Sequence, residues 1–138
     1  MIVPDSPVPL VGFRIWGVVQ SPSGPRLQSA SSGFSGGTTL WTPYQAFGAS
    51  CLAARDCGAA PNPAHNCGVH SFRTLDDALR WAGDIARVRP VVIGTVRLWG
   101  KVVESVRGWR AELAYPNRLL SGPQIEPLAA AYGVACDG

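Results

Sequence analysis

Charge is scarce in this chain. Only 15% of its 138 residues are Asp, Glu, Lys or Arg, against about 25% in an ordinary soluble domain. Lysine is nearly missing: Lys101 stands beside eleven arginines. The basic residues are scattered, which speaks against a dedicated nucleic-acid surface, and the net charge of +3 permits an anionic partner without requiring one. No run approaches the ~20 apolar residues of a membrane helix. The start, Met1-Ile2-Val3-Pro4-Asp5, lacks the basic and apolar regions of a secretory signal, so the expected location is the cytoplasm. Also missing are G-x-S-x-G, a P-loop, G-x-G-x-x-G and H-E-x-x-H. So little of the usual acid/base constellation is visible that the residues lean away from an enzyme. No internal repeat is present.

What the chain does have is apolar material. Hydrophobic residues make up 46%, enough for a core, and the length suits one domain that does not strictly need metals or disulfides. Residues 1–11, rich in proline, read as a flexible arm, and 12–138 as one domain. Strand patterns lie at 12–19, 26–30, 68–72, 91–99, 101–106 and 109–115. In the first, Phe13 and Ile15 face one way and Arg14 and Trp16 the other. In 91–99, Val92, Gly94, Val96 and Leu98 share a face. Gly100 marks a bend or bulge, and Pro116 is expected to end the last strand. Residues 31–39 read as a loop.

One central amphipathic helix is expected at 75–87. Thr74 caps it, Asp76 and Asp77 complement its dipole, Leu75, Ala78, Leu79, Ala82 and Ala86 form its apolar stripe, and Pro90 stops it. A short C-terminal helix is expected at 125–132, with Gly133 as its cap. The fold class is therefore α+β: an antiparallel meander, one central helix, a short final helix and a Cys/His loop at 48–68.

That loop reads Cys51-x5-Cys57-x7-His65-x-Cys67, with His70 three residues on. Zinc takes four N or S ligands in a tetrahedron, and thiolates and imidazoles supply them. A turn-rich loop can wrap such a centre. The paired C-x-x-C knuckles of a zinc ribbon are absent, and His70 is an alternative to His65. Buried inert thiols, or a Cys51–Cys57 disulfide, are the competing readings. Cys136, in the tail, is not expected to ligate.

Several segments resemble a family of small uncharacterised actinobacterial proteins. The matching stretches are Gly12-Phe13-Arg14-Ile15-Trp16, Trp41-Thr42-Pro43, Ala49-Ser50-Cys51, Cys67-Gly68-Val69, Ile93 to Gly100 (IGTVRLWG) and Gly108 to Pro116 (GWRAELAYP). Together they span about residues 12–120. His65 stands where that pattern has a Cys, and Cys57 where it has a His. A zinc centre tolerates that exchange because both are ligands; a catalytic nucleophile does not. His70 replaces a Tyr. The resemblance implies a structural zinc and names no activity.

A second set, Arg14, Trp16, Trp41, Arg97, Trp99, Trp109 and Arg110, combines cations with indoles. If the strands bring them together, they form a stacking face for a nucleotide or nucleic acid. The competing reading makes the tryptophans core and the arginines solvated. Three functions follow: a zinc-stabilised binding or adaptor module with a protein or nucleic-acid partner, a nucleotide or nucleic-acid binder using the Trp/Arg face, and a small metal-dependent hydrolase.

Overall fold

The computed structural model describes residues 2–3, 9–29, 40–49, 61, 67–83, 87 and 89–137. Among the described residues it is a mixed α+β fold, mostly sheet, with two helices. The strands are β1 (Ile2–Val3), β2 (Leu10–Ser21), β3 (Gly24–Ser29), β4 (Phe47–Gly48), β5 (Val69–Phe72), β6 (Val91–Glu104), β7 (Gly108–Ser121) and β8 (Ala135–Cys136). The helices are α1 (Leu75–Ala82) and α2 (Ile125–Tyr132). Within the stretch read as an arm, Ile2–Val3 pairs with Val102 and Val103 of β6.

The sheet curls back on itself. β6 pairs with β2 on one edge and β7 on the other. The far edge of β7 carries β5, and β5 reaches the far edge of β2 through Phe13↔Phe72. The path β2–β6–β7–β5 thus closes, leaving β3, β4, β8 and β1 to extend it.

Curvature comes from the β6–β7 hairpin, whose register shifts between Ile93/Gly94, Thr95/Val96 and Trp99/Val102. Each shift adds a residue to one strand, bending it and increasing its twist. At Trp99/Val102 the extra length is in β6, and Gly100 takes φ 75 there. Two expectations are corrected as a result. The stretches 91–99 and 101–106, read as two strands, form one strand to Glu104, with the bulge expected at Gly100 in place. Pro116 does not end β7: it lies opposite Val96 beside a bulge, where proline's missing N–H leaves no gap in a regular ladder. The bulged Asn117 donates from Nδ2 to Thr95 Oγ1 at 3.0 Å. Strict alternation over 109–115 also fails, since both Ala111 and Ala114 are buried in the core.

The enclosed core holds Trp16, Leu27, Trp41, Val69, Val92, Val96, Leu98, Val102, Ala111, Ala114 and Leu119. α2 contributes Leu128, Ala129 and Tyr132 to it. On the opposite face of β2, Ile15 meets Ala78 and Ala82 of α1, with Phe13, Phe72, Trp81, Val91 and Ile93 around them. Thr74 caps α1 by accepting from Asp77 N at 3.1 Å. The small residues of α1 face the sheet, and Leu75 and Leu79 stay exposed, contrary to the expected stripe. Alanines let the helix approach closely, which leaves the leucines at the margin. No helix among the described residues is long and apolar enough to cross a membrane.

Candidate functional site

Arg14 is the residue that sequence reasoning places least well. Its position on β2 alternates with Phe13 and Ile15, so it shares the interior face with Trp16. Arg14 is 5% exposed. Its Nη1 donates to the carbonyl of His70 on β5 at 2.5 Å, and Nη2 to Ser29 Oγ on β3 at 3.0 Å. The cation lies 5.1 Å from the Trp41 ring centre and 5.9 Å from that of Trp16, and the two indoles meet edge to face at 5.5 Å. Burial lowers the Arg14 pKa to about 10, still far above neutrality, so the side chain enters the core charged. Among the described residues no carboxylate pairs with it.

Its surroundings are polar in a sparse way. Ser29 Oγ also accepts from Trp41 Nε1 at 2.8 Å. The Tyr132 hydroxyl donates to the Trp41 carbonyl and accepts from Leu27 N at 2.9 Å. Burial pushes the Tyr132 phenol up to about 12. Among the described residues, three buried side-chain polar atoms have no partner: Arg14 Nε, Trp16 Nε1 and Ser71 Oγ. Ser71 faces the backbone of Gly12, two residues before Arg14; a Cβ on Gly12 would stand 2.5 Å from Ser71 Oγ. Gly94, opposite Arg14 in register, leaves room for Trp16 in the same way. Sequence reasoning missed Ser29, Ser71 and Tyr132, because no local pattern links them to Arg14.

A second feature lies on the outside. A groove of about 220 Å³ is lined by His70, Ser71, Phe72, Ser105, Arg107, Gly108, Trp109 and Arg110. Arg73 clips its rim, donating to Glu104 Oε2 at 2.5 Å and to the carbonyls of Ser105 and Val106 at 3.2 Å. The same guanidinium lies 4.5 Å from the Trp109 ring centre. Arg73 holds the Glu104 carboxyl below its ordinary pKa. Among the described residues, two arginines and a histidine line the groove and no carboxylate does.

The seven Trp/Arg residues therefore do not share one face. Arg14, Trp16 and Trp41 are interior, with Trp16 and Trp41 at 0% and 1% exposure. Trp109 and Arg110 belong to the groove. Arg97 is exposed near Tyr115, 6.0 Å from its ring centre, and Trp99 is half-buried opposite Leu113.

Of the expected metal ligands, Cys51, Cys57 and His65 lie outside the described residues. Cys67 precedes Gly68, and its carbonyl accepts from Arg110 Nη1 at 2.7 Å. His70 is on β5 opposite Arg110. Pro61 is fully buried, and a Cβ on Gly68 would stand 2.9 Å from Pro61 Cβ. Pro61 thus packs against the residue that follows Cys67. Among the described residues no three His, Cys, Asp or Glu gather as a metal site. Cys136 is half-buried in β8, which pairs with β7 at Arg118 and Leu119. No family model, curated protein or solved structure matches the chain.

Proposed function

We propose that the protein is a small binding module, stabilised by zinc in its Cys/His loop, that takes an anionic segment of a partner in the groove between β5 and the β6–β7 turn. The observation that carries the reading is the groove's lining: Arg107 beside the Trp109 indole, with His70 and Arg110, and no acidic residue among the described lining residues. Such a surface offers donors and positive charge to carboxylates or phosphates, and an aromatic flank for packing. The zinc part rests on the four ligand types in one loop, Cys51, Cys57, His65 and Cys67, with His70 as the alternative. The packing of Pro61 on Gly68 supports a loop folded back on Cys67. A closed four-ligand centre leaves no open position for chemistry, so the metal holds the loop while the groove does the binding. In this reading the α+β framework of meander, central helix and final helix presents the groove on a rigid sheet.

A base-stacking surface finds less support, because Trp16 and Trp41 are inside the core. The test is a titration with an oligo-Glu peptide and with oligothymidylate, followed by Trp fluorescence at low and moderate salt. Binding of either that weakens with salt, and about tenfold with Arg107→Glu, is expected for a rim charge. No binding at low salt, or equal binding by Arg107→Glu, contradicts the proposal. The more tightly bound probe distinguishes a protein from a nucleic-acid partner.

A further inference from the structure

On the reading that the groove binds an anionic segment, we infer that Arg73 is the residue that makes it selective for anions, by neutralising the Glu104 carboxylate at its wall. Glu104 ends β6 one residue before Ser105, which lines the groove, and it pairs in register with Trp109, which lines it too. The Trp109 side chain, whose one donor is the indole N–H, hydrogen-bonds the Glu104 carboxylate. An acidic group therefore touches a lining residue without being part of the lining. Left alone, it repels an incoming carboxylate or phosphate, because surface charges act across about 8–10 Å at moderate salt.

Arg73 meets that charge. Its guanidinium donates to Glu104 Oε2 at 2.5 Å and to the Ser105 and Val106 carbonyls at 3.2 Å, and it lies 4.5 Å from the Trp109 ring centre. Its backbone N–H donates to the Arg107 carbonyl at 2.8 Å. An exposed ion pair alone is worth little. This guanidinium is also tied to two carbonyls and an indole face, so it stays beside Glu104 instead of sampling solvent. Arg73 and Glu104 then cancel, and the charge left to meet a partner is that of the lining arginines, Arg107 and Arg110. Selectivity of this kind comes from removing a repulsion rather than from adding an attraction.

The test is a double-mutant cycle in the full chain. The parent, Arg73→Gln, Glu104→Gln and the double variant are titrated with the oligo-Glu peptide and with oligothymidylate at low and moderate salt, and Tm is measured for each. Arg73→Gln should weaken binding about fivefold at low salt, the scale of one surface charge pair, and the loss should shrink as salt rises. Glu104→Gln keeps an acceptor for Trp109 and removes the charge, so it should bind more tightly than the parent. The double variant should recover the affinity lost in Arg73→Gln. If Arg73 only props the turn, the pattern reverses: Glu104→Gln binds more weakly, and the double variant is no better than Arg73→Gln. Either result overturns the inference, and so does Arg73→Gln binding as the parent does. If Arg73→Gln is too unstable to titrate, the sign of the Glu104→Gln effect decides alone. A parent that binds neither probe, or Arg107→Glu binding as the parent does, refutes the groove itself and this role with it. A groove that passes those controls while the Arg73–Glu104 cycle fails stands without this role.

Discussion

A single hydroxyl, that of Tyr132, ties three parts of the fold together. It joins α2 to the Leu27 amide of β3 and to the carbonyl of Trp41. Tyr132→Phe leaves a buried N–H and a buried carbonyl without that partner, so a loss of about 1–3 kcal/mol is expected in urea denaturation. Its pH dependence has a definite sign. The folded pKa, about 12, lies above the ordinary value of 10.0, so the folded state disfavours phenolate. The contribution is complete below pH 10 and disappears as pH rises toward 12, over which the unfolded chain ionises first. Arg14 acts oppositely in the same alkaline range, because burial lowers its pKa to about 10. The difference between the parent and Tyr132→Phe isolates the phenol: it should be constant at neutral pH and shrink on the alkaline side. The polar character of both residues was visible in the sequence, but their burial was not. Arg14 lies on an alternating strand, and alternation says which side a residue faces, not whether that side is wet.

Elements depend on close backbone approaches as much as on side chains. At Gly108, where β7 begins against β5, a Cβ would fall 1.9 Å from the Ser71 carbonyl oxygen. Gly108→Ala must push the two strands apart and is expected to cost about 3 kcal/mol or more, read as a lower denaturation midpoint. The N-cap of α1 is a smaller matter. Thr74→Ala removes the bond to Asp77 N and should cost about 1 kcal/mol, with helix content almost unchanged by circular dichroism. Much of the element pattern was legible. The alternation of Val92, Val96 and Leu98 marks the buried face of β6, and Gly133, at φ 68, follows α2 as a left-handed cap residue. The bulge at Gly100 was legible from the glycine, but those in β7 were not: Pro116 ordinarily ends a strand, yet it sits at a register shift that only the partner strand reveals.

For the molecule as a whole, closure of the sheet sets the environment of everything else. β5 contributes only four residues, yet it joins β7 to β2, and Cys67 and His70 flank or belong to it. A zinc centre anchored at Cys67 would therefore act on that closure. The expected metal content is one zinc per chain. Chelation, or Cys51→Ser, should lower the Tm and expose Trp16 and Trp41 to solvent, seen as a red-shifted emission. A metal-free chain with full stability would contradict the zinc reading.

The sequence by itself determined the composition-level properties and the local ones: apolar content sufficient for a core, a mixed α+β class, the strand faces of β2 and β6, and the cap of α1. These follow from short-range periodicity and from residue chemistry that acts within a few positions. It also marked one loop as rich in zinc-ligand types, without deciding their geometry. Only the tertiary structure decided that Arg14 lies beside two indoles inside the core, that Ser29 accepts from it there, and that Trp109 and Arg110 line a groove on the outside. Such neighbourhoods are made by residues far apart in the chain, brought together by strand pairing and sheet closure. The same alternation of residues can put an arginine in water or in a core, and the strands that close over it decide which.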